Sequence, residues 1–250
     1  MIGDWLNRWL PPGASSHAAE FDGVLSATHT EGALILIGWL VLFLVMLVRF
    51  RARPGGRPGP PAGRTWPLVA IVAVVLGDVW LLAGSALPAW FRRAEPPPMH
   101  GNEVRVVAEQ FAWNVHYPGP DGHFGRTSPT LITAADPVGV DRTDPMATDD
   151  FVLIGMLIVP VDRPTVVHLS SKDVIHSFTL ATMRVKQDVT PGLPVDAWFT
   201  PIATGSWELG CSQLCGLGHY RMRALFEVRS EADYRAFVAD EVSRLEPPPS

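Results

Sequence analysis

Two long apolar runs stand near the start of the chain, and short alternating runs fill the rest. Gly32–Phe50 (GALILIGWLVLFLVMLVRF) is nearly all apolar. As a helix it spans about 28 Å, close to the hydrocarbon thickness of a bilayer. Trp66–Trp90 (WPLVAIVAVVLGDVWLLAGSALPAW) is a second run of the same kind. Its terminal tryptophans suit the two membrane interfaces, and Pro67 suits a helix start. From residue 101 the period shortens. Glu103–Tyr117 alternates as a strand pair, and Pro118–Asp150, rich in Pro, Gly, Asp and Thr, reads as a surface excursion. Val152–Val159, Thr165–Ser170, Ser177–Leu180, Ala197–Pro201, Gly205–Leu209 and Ala224–Val228 follow as strands at the spacing of a sandwich or barrel. Ser230–Leu245 predicts a helix, with Ser230 and Asp233 at its start and Tyr234, Phe237, Val238, Val242 and Leu245 on one face.

The pattern divides the chain into an N-terminal segment (1–30), a transmembrane helix hairpin (31–93, spans 32–50 and 66–90), an all-β domain (101–229) and a C-terminal helix and tail (230–250). Pro96–His100 is a linker, and Met1–Leu10 is either a short interfacial helix or a frayed end. A basic start, apolar core and small-residue cleavage site are not evident near the N-terminus.

Charge sets the orientation. The loop between the spans, with Arg49, carries five arginines and no acid, which places it on the cytoplasmic side. Both termini and the β domain then lie outside. Arg92 and Arg93 oppose this weakly, and Glu31 falls at the outer interface. Asp78, near the middle of the second span, has to face protein or water, as a packing contact or as a proton-path group. Residues 101–250 hold 12 Lys and Arg against 19 Asp and Glu. That excess disfavours nucleic acid and favours a basic protein partner.

The candidate chemistry lies in Cys211-Ser212-Gln213-Leu214-Cys215-Gly216-Leu217-Gly218-His219-Tyr220-Arg221-Met222, which contains both cysteines of the protein. Thiolate, imidazole and thioether together suit copper in electron transfer. One cysteine with His and Met reads as a mononuclear site, whereas two thiolates on one loop can bridge two metal ions. A further ligand is available in Val174-Ile175-His176-Ser177-Phe178. The alternative is a structural disulfide, with His219 and Met222 as ordinary packing residues. Zinc has little use for methionine, and neither C-x-x-C nor C-x-x-C-H occurs. His116 and His123 read as surface or hydrogen-bonding residues, and His168 as structural.

Three segments, SKDVIHSF (171–178), MRVKQDVTPG (183–192) and CSQLCGLGHYRM (211–222), resemble subunit II of the haem-copper cytochrome c oxidases, and the likeness extends over most of 102–228 and to the two spans. The resemblance implies a cupredoxin-like Greek-key sandwich behind two transmembrane helices. It implies a binuclear copper centre, CuA. Cys211 and Cys215 bridge both coppers, His176 and His219 each bind one, Met222 is a weaker ligand on one, and the Gln213 carbonyl is a weak ligand on the other. Most relatives have glutamate in place of Gln213, where its carboxylate binds magnesium at the subunit I interface; here that charge is missing. An aromatic segment accepts electrons in the family, and Phe111 stands where relatives have tryptophan, with Trp113 two residues on. The implied partners are haem-bearing subunit I, subunit III, membrane lipid, and cytochrome c or another small periplasmic donor. The implied function is the electron-accepting subunit of a proton-pumping terminal oxidase in a bacterial inner membrane. A CuA-containing nitric oxide reductase subunit and a membrane-anchored copper carrier or assembly protein are the alternatives. A quinol oxidase subunit II lacks the copper ligands that are present here.

Overall fold

The computed structural model describes residues 8–51, 63, 65–96 and 101–245. Most of the arginine-rich loop, nearly all of the linker, most of Met1–Leu10 and the last five residues lie outside the described residues. The chain divides into a helical unit of residues 1–10 and 19–95 and a β unit of residues 11–18 and 96–250.

Helix α1 runs Ala18–Arg49, and the second span runs through α2 (Thr65–Leu81), a π-helical turn (Leu82–Ala86) and α3 (Leu87–Arg93). Among the described residues these are two helices long and apolar enough to cross a membrane. Apolar side chains point outward all round both, as on helices that meet lipid or a partner. Helix α1 begins well ahead of Gly32. Its first turns are polar, so hydropathy alone does not register them. There Thr28 donates to the Val24 carbonyl and Thr30 to that of Ser26, within the helix itself. The π turn has a local cause in Pro88, which cannot donate to the Gly84 carbonyl. The Leu87 amide bonds the Leu82 carbonyl instead. Arg92 pairs with Glu20, and the Glu31 carboxylate lies against Gly77, where a Cβ would collide with it. Glu31 is therefore packed between the helices, one residue from the exposed Asp78.

The β unit is a sandwich of two five-stranded sheets. In chain order the strands are β1 (Asn102–Glu109), β2 (Ala112–Tyr117), β3 (Phe151–Ile154), β4 (Met156–Pro160), β5 (Thr165–Ser171), β6 (His176–Leu180), β7 (Val185–Val189), β8 (Val195–Phe199), β9 (Gly205–Cys211) and β10 (Arg223–Arg229). One sheet has the order β3-β2-β1-β5-β8, the other β4-β10-β9-β6-β7. Alternation does the folding work: Val104, Val106 and Ala108 of β1 point inward, against Trp113, Phe178, Phe199 and Phe226 in one core. The predicted strand Val152–Val159 is two strands in different sheets. Gly155, at φ +72°, turns the corner; its amide bonds the Trp113 carbonyl and its own carbonyl accepts from Leu225. Strand β7, at the sheet edge, has too few apolar residues to stand out by alternation.

The C-terminal helix, α4 (Glu231–Ser243), starts at Ser230, whose hydroxyl accepts from the Asp233 amide. It buries Tyr234 and Phe237 on the sandwich, where Phe237 meets the stacked pair Tyr117 and Phe151 edge-on. Residues 118–150 form the expected excursion, anchored by a buried hydrogen bond of 2.6 Å between His116 and Asp150. His123 is exposed, and His168 bridges Asp196 and Glu103 across the sheet. Pro11–Ala18 belongs to the sandwich. Ala14 donates to Thr182 and accepts from Ile202, and Ser16 donates to Thr200.

Candidate metal centre

The site forms where three neighbouring strands end together. Strand β6 pairs with β9 so that Phe178 faces Cys211, and β10 pairs with β9 so that Arg223 faces Gly210. His176 opens β6, Cys211 closes β9, and Met222 immediately precedes β10. The loop between is tied at its base and through its middle. The Cys211 amide bonds the Met222 carbonyl, Ser212 bonds Ser177, His219 bonds Gly216, and Met222 bonds His219.

All of the predicted ligands converge here. The two free sulfurs stand 3.8 Å apart, not bonded. Cys215 Sγ lies 3.6 Å from both His219 Nδ1 and Met222 Sδ. Met222 Sδ lies 3.1 Å from His176 Nδ1, and Cys211 Sγ 3.2 Å from the Gln213 carbonyl oxygen. Ligand atoms of His176, Cys211 and Cys215 all fall within 4.8 Å of one another. His176, Met222 and Cys215 are buried, while Cys211 and His219 are partly exposed. Burial, with Cys211 as neighbour, pushes the Cys215 thiol up to about 11. Two thiols, two imidazoles, a thioether and a carbonyl form a soft donor set that fits copper and not magnesium or calcium.

Three features around the ligands were not foreseen from the sequence. Asp173 Oδ1 accepts from His176 Nε2 at 2.9 Å, which leaves Nδ1 facing the sulfurs. Asp173 also accepts from the Val174 and Gln110 amides. Burial opposes its charge, but the bonds from His176 and the two amides outweigh it, so Asp173 lies below the usual carboxylate range. Gln110 donates its side-chain amide to the Cys215 carbonyl at 2.6 Å. Gly216 and Gly218 lie on the Phe111 ring, so close that a Cβ at Gly218 would overlap it. The aspartate three residues before His176 was the available signal; the glycine contacts had none. Of the two aromatic candidates, Phe111 lies against the loop, whereas Trp113 is fully buried with its ring edge-on to His176 and Phe178.

Residues 104–228 match the family described as cytochrome C oxidase subunit II, periplasmic domain. A cytochrome c oxidase subunit 2 from Thermostichus vulcanus is 35% identical over 268 residues, covering 95% of this chain and 80% of the relative. The chain belongs to the cytochrome c oxidase subunit II family. An alternative cytochrome c oxidase subunit 2 from Bradyrhizobium diazoefficiens is 38% identical over 142 residues, covering 56% of this chain and 51% of that protein. Among solved structures, the periplasmic domain of subunit II of cytochrome oxidase from Bradyrhizobium japonicum aligns with a TM-score of 0.45 and 25% identity, over 60% of this chain and all of that one. As a subunit II, the protein carries its converged Cys, His and Met side chains within the matched segment, and its two apolar helices precede that segment.

Proposed function

We propose that this chain is the electron-accepting subunit of a proton-pumping terminal oxidase, holding a binuclear CuA centre on the outer face of a bacterial inner membrane. The observation that carries the proposal is the pair of unbonded sulfurs 3.8 Å apart, with His219 and Met222 against Cys215, His176 against Met222 and the Gln213 carbonyl against Cys211. Cys211 and Cys215 would hold the copper pair through their thiolates, with His176, His219, Met222 and the Gln213 carbonyl as its further ligands. When bound, such a pair would supply one-electron transfer with the charge shared between two ions, which keeps the geometric change on reduction small.

The protein's part is to hold the donors still. Strands β6, β9 and β10 fix both ends of the loop, so its ligands need little rearrangement on electron transfer. Asp173 holds the His176 ring and its proton at Nε2. Phe111 under the loop is the candidate point of electron arrival; Trp113 supports His176 from inside. Electrons pass from cytochrome c or a similar periplasmic donor to the haem of subunit I, with subunit III as a further neighbour and both termini outside. Gln213 supplies no carboxylate, so magnesium at the subunit I interface has no charged ligand from this position.

Electron paramagnetic resonance of the copper-loaded protein, with its copper content, tests the assignment. Two coppers and a seven-line hyperfine pattern support it. One copper with a four-line pattern overturns it.

A further inference from the structure

The acidic excess of the β unit does not lie on the strands that hold the metal site. Residues 118–150 hold six acids and two bases, and residues 230–250 five acids and two bases. The sandwich strands and their short loops, 102–117 and 151–229, hold eight of each. The acids nearest the site in sequence are also paired locally. Glu109 bonds Lys172 at 2.6 Å, Asp188 bonds Lys186 at 2.9 Å, and Glu208 bonds Arg223 at 3.3 Å. Asp173 is taken up by His176 and two backbone amides. From Ser212 to Met222 the only formal charge is Arg221. Over the same stretch large apolar side chains stand in solvent: Leu217 is 97% exposed, Tyr220 82% and Leu214 80%. Leu217 projects from between Gly216 and Gly218, the two residues that rest on Phe111. The collar around the metal loop is thus apolar and close to neutral. Three large apolar side chains exposed on one short loop mark a candidate contact surface.

Building on the electron-accepting role, we infer that the donor docks by apolar contact centred on Leu217. The occupant is a small redox protein whose cofactor edge is ringed by uncharged, apolar side chains. The acids of the excursion and of α4 contribute only a diffuse field. Contact at Leu217 sets the donor against the loop that carries Cys215 and His219, with Phe111 beneath.

The test uses the assembled oxidase complex and two ferrocytochromes c, one basic and one acidic. The second-order oxidation rate is measured from 10 to 300 mM KCl, and electron uptake from hexaammineruthenium(II) serves as the small-reductant control. With a neutral collar, the rate for either donor changes less than about threefold across this range, whereas steered association falls steeply with salt. Leu217→Lys and Leu217→Glu each slow both donors by about tenfold, because the occupant's apolar rim has no partner for either charge, and the loss persists at 300 mM KCl. The copper spectrum stays unchanged in both variants, as does uptake from hexaammineruthenium(II) at 300 mM KCl, where the added charge is screened from this small cation. A steep salt dependence in the unmodified complex overturns the inference, as do donor rates that ignore both substitutions. Loss of the haem-bearing subunit from either variant also overturns it, because Leu217 then faces that subunit. If the unmodified complex lacks the seven-line signal, the failure belongs to the copper assignment instead.

Discussion

Asp173 offers the sharpest test of how the site is held. Its carboxylate accepts from His176 Nε2 and from the Gln110 and Val174 amides. In Asp173→Ala all three donors lose their partner. The His176 ring is fully buried, so its N–H cannot turn to water. Leaving it unsatisfied costs about 1–3 kcal/mol, and the two amides, at an exposed loop, add little because water replaces the carboxylate. For a domain of this size the midpoint falls by about 2–4 °C per kcal/mol. Copper affinity falls further, by about 10–100-fold, because the ring is then free to turn or to take the other tautomer. Asp173→Asn keeps one carbonyl oxygen for His176 and falls between wild type and alanine on both measures. The assays are thermal unfolding of the metal-free protein and copper titration against a competing chelator. If alanine lowers the midpoint and leaves copper affinity unchanged, Asp173 is a loop brace and not a positioning residue.

In the metal-free protein at pH 7, iodoacetamide modifies Cys211 before Cys215, since burial raises the Cys215 thiol to about 11; peptide mass spectrometry reads the order. Gly218→Ala drives a methyl group into the Phe111 ring and destabilises the metal-free fold by about 1–3 kcal/mol in denaturant titration, while alanine at Gly210, where a Cβ meets only the Glu208 carboxylate at 4.0 Å, creates no such clash. Tyr117→Phe removes a hydroxyl that accepts from the Ile158 amide at 2.7 Å and donates to its carbonyl, a link between the two sheets. The cost is about 1–3 kcal/mol in the same titration. In the excursion, Asp141 lies below the usual carboxylate range through bonds from the Thr143 hydroxyl and amide, and Asp144 through bonds from the Arg126 and Met146 amides. A lowered folded value means that their contribution is fully present above about pH 4 and is lost as pH falls through those lower values. Pepsin cleavage within 118–150, normalised at each pH to cleavage of an unstructured peptide, should therefore be slow at pH 4.5 and rise towards pH 2.

The candidate loop was legible because its chemistry sits within one twelve-residue stretch: Cys211, Cys215, His219 and Met222 need no long-range information. His176 was legible for a different reason, as a lone imidazole ahead of an apolar strand. The strands with clean alternation, β1, β5 and β10, were evident for the same local cause. What escaped depends on contacts between distant residues. Asp173 shows its role only once β6 has set His176 against the sulfurs. The division of Val152–Val159 rests on one glycine whose turn is needed only because the chain changes sheets. The start of α1 escaped hydropathy because its first turns are polar, although they continue the same helix. The overall acidity of residues 101–250 pointed towards a basic partner, and the fold shows that those acids belong to the excursion and to α4 while residues 102–117 and 151–229 are balanced.

The short segment ahead of α1 carries a constraint on biogenesis. Ala14 and Ser16 bond residues 182, 200 and 202, which the ribosome adds much later. During synthesis this edge of the sandwich has no partner for Pro11–Ala18 until nearly the whole chain exists, and the segment waits unpaired. Both must then be in the same compartment. A chain that crosses a bilayer between Ala18 and Pro96 therefore has to do so an even number of times. A molecule inserted with a single crossing cannot complete its own sandwich, so the fold itself distinguishes correctly threaded copies from misthreaded ones.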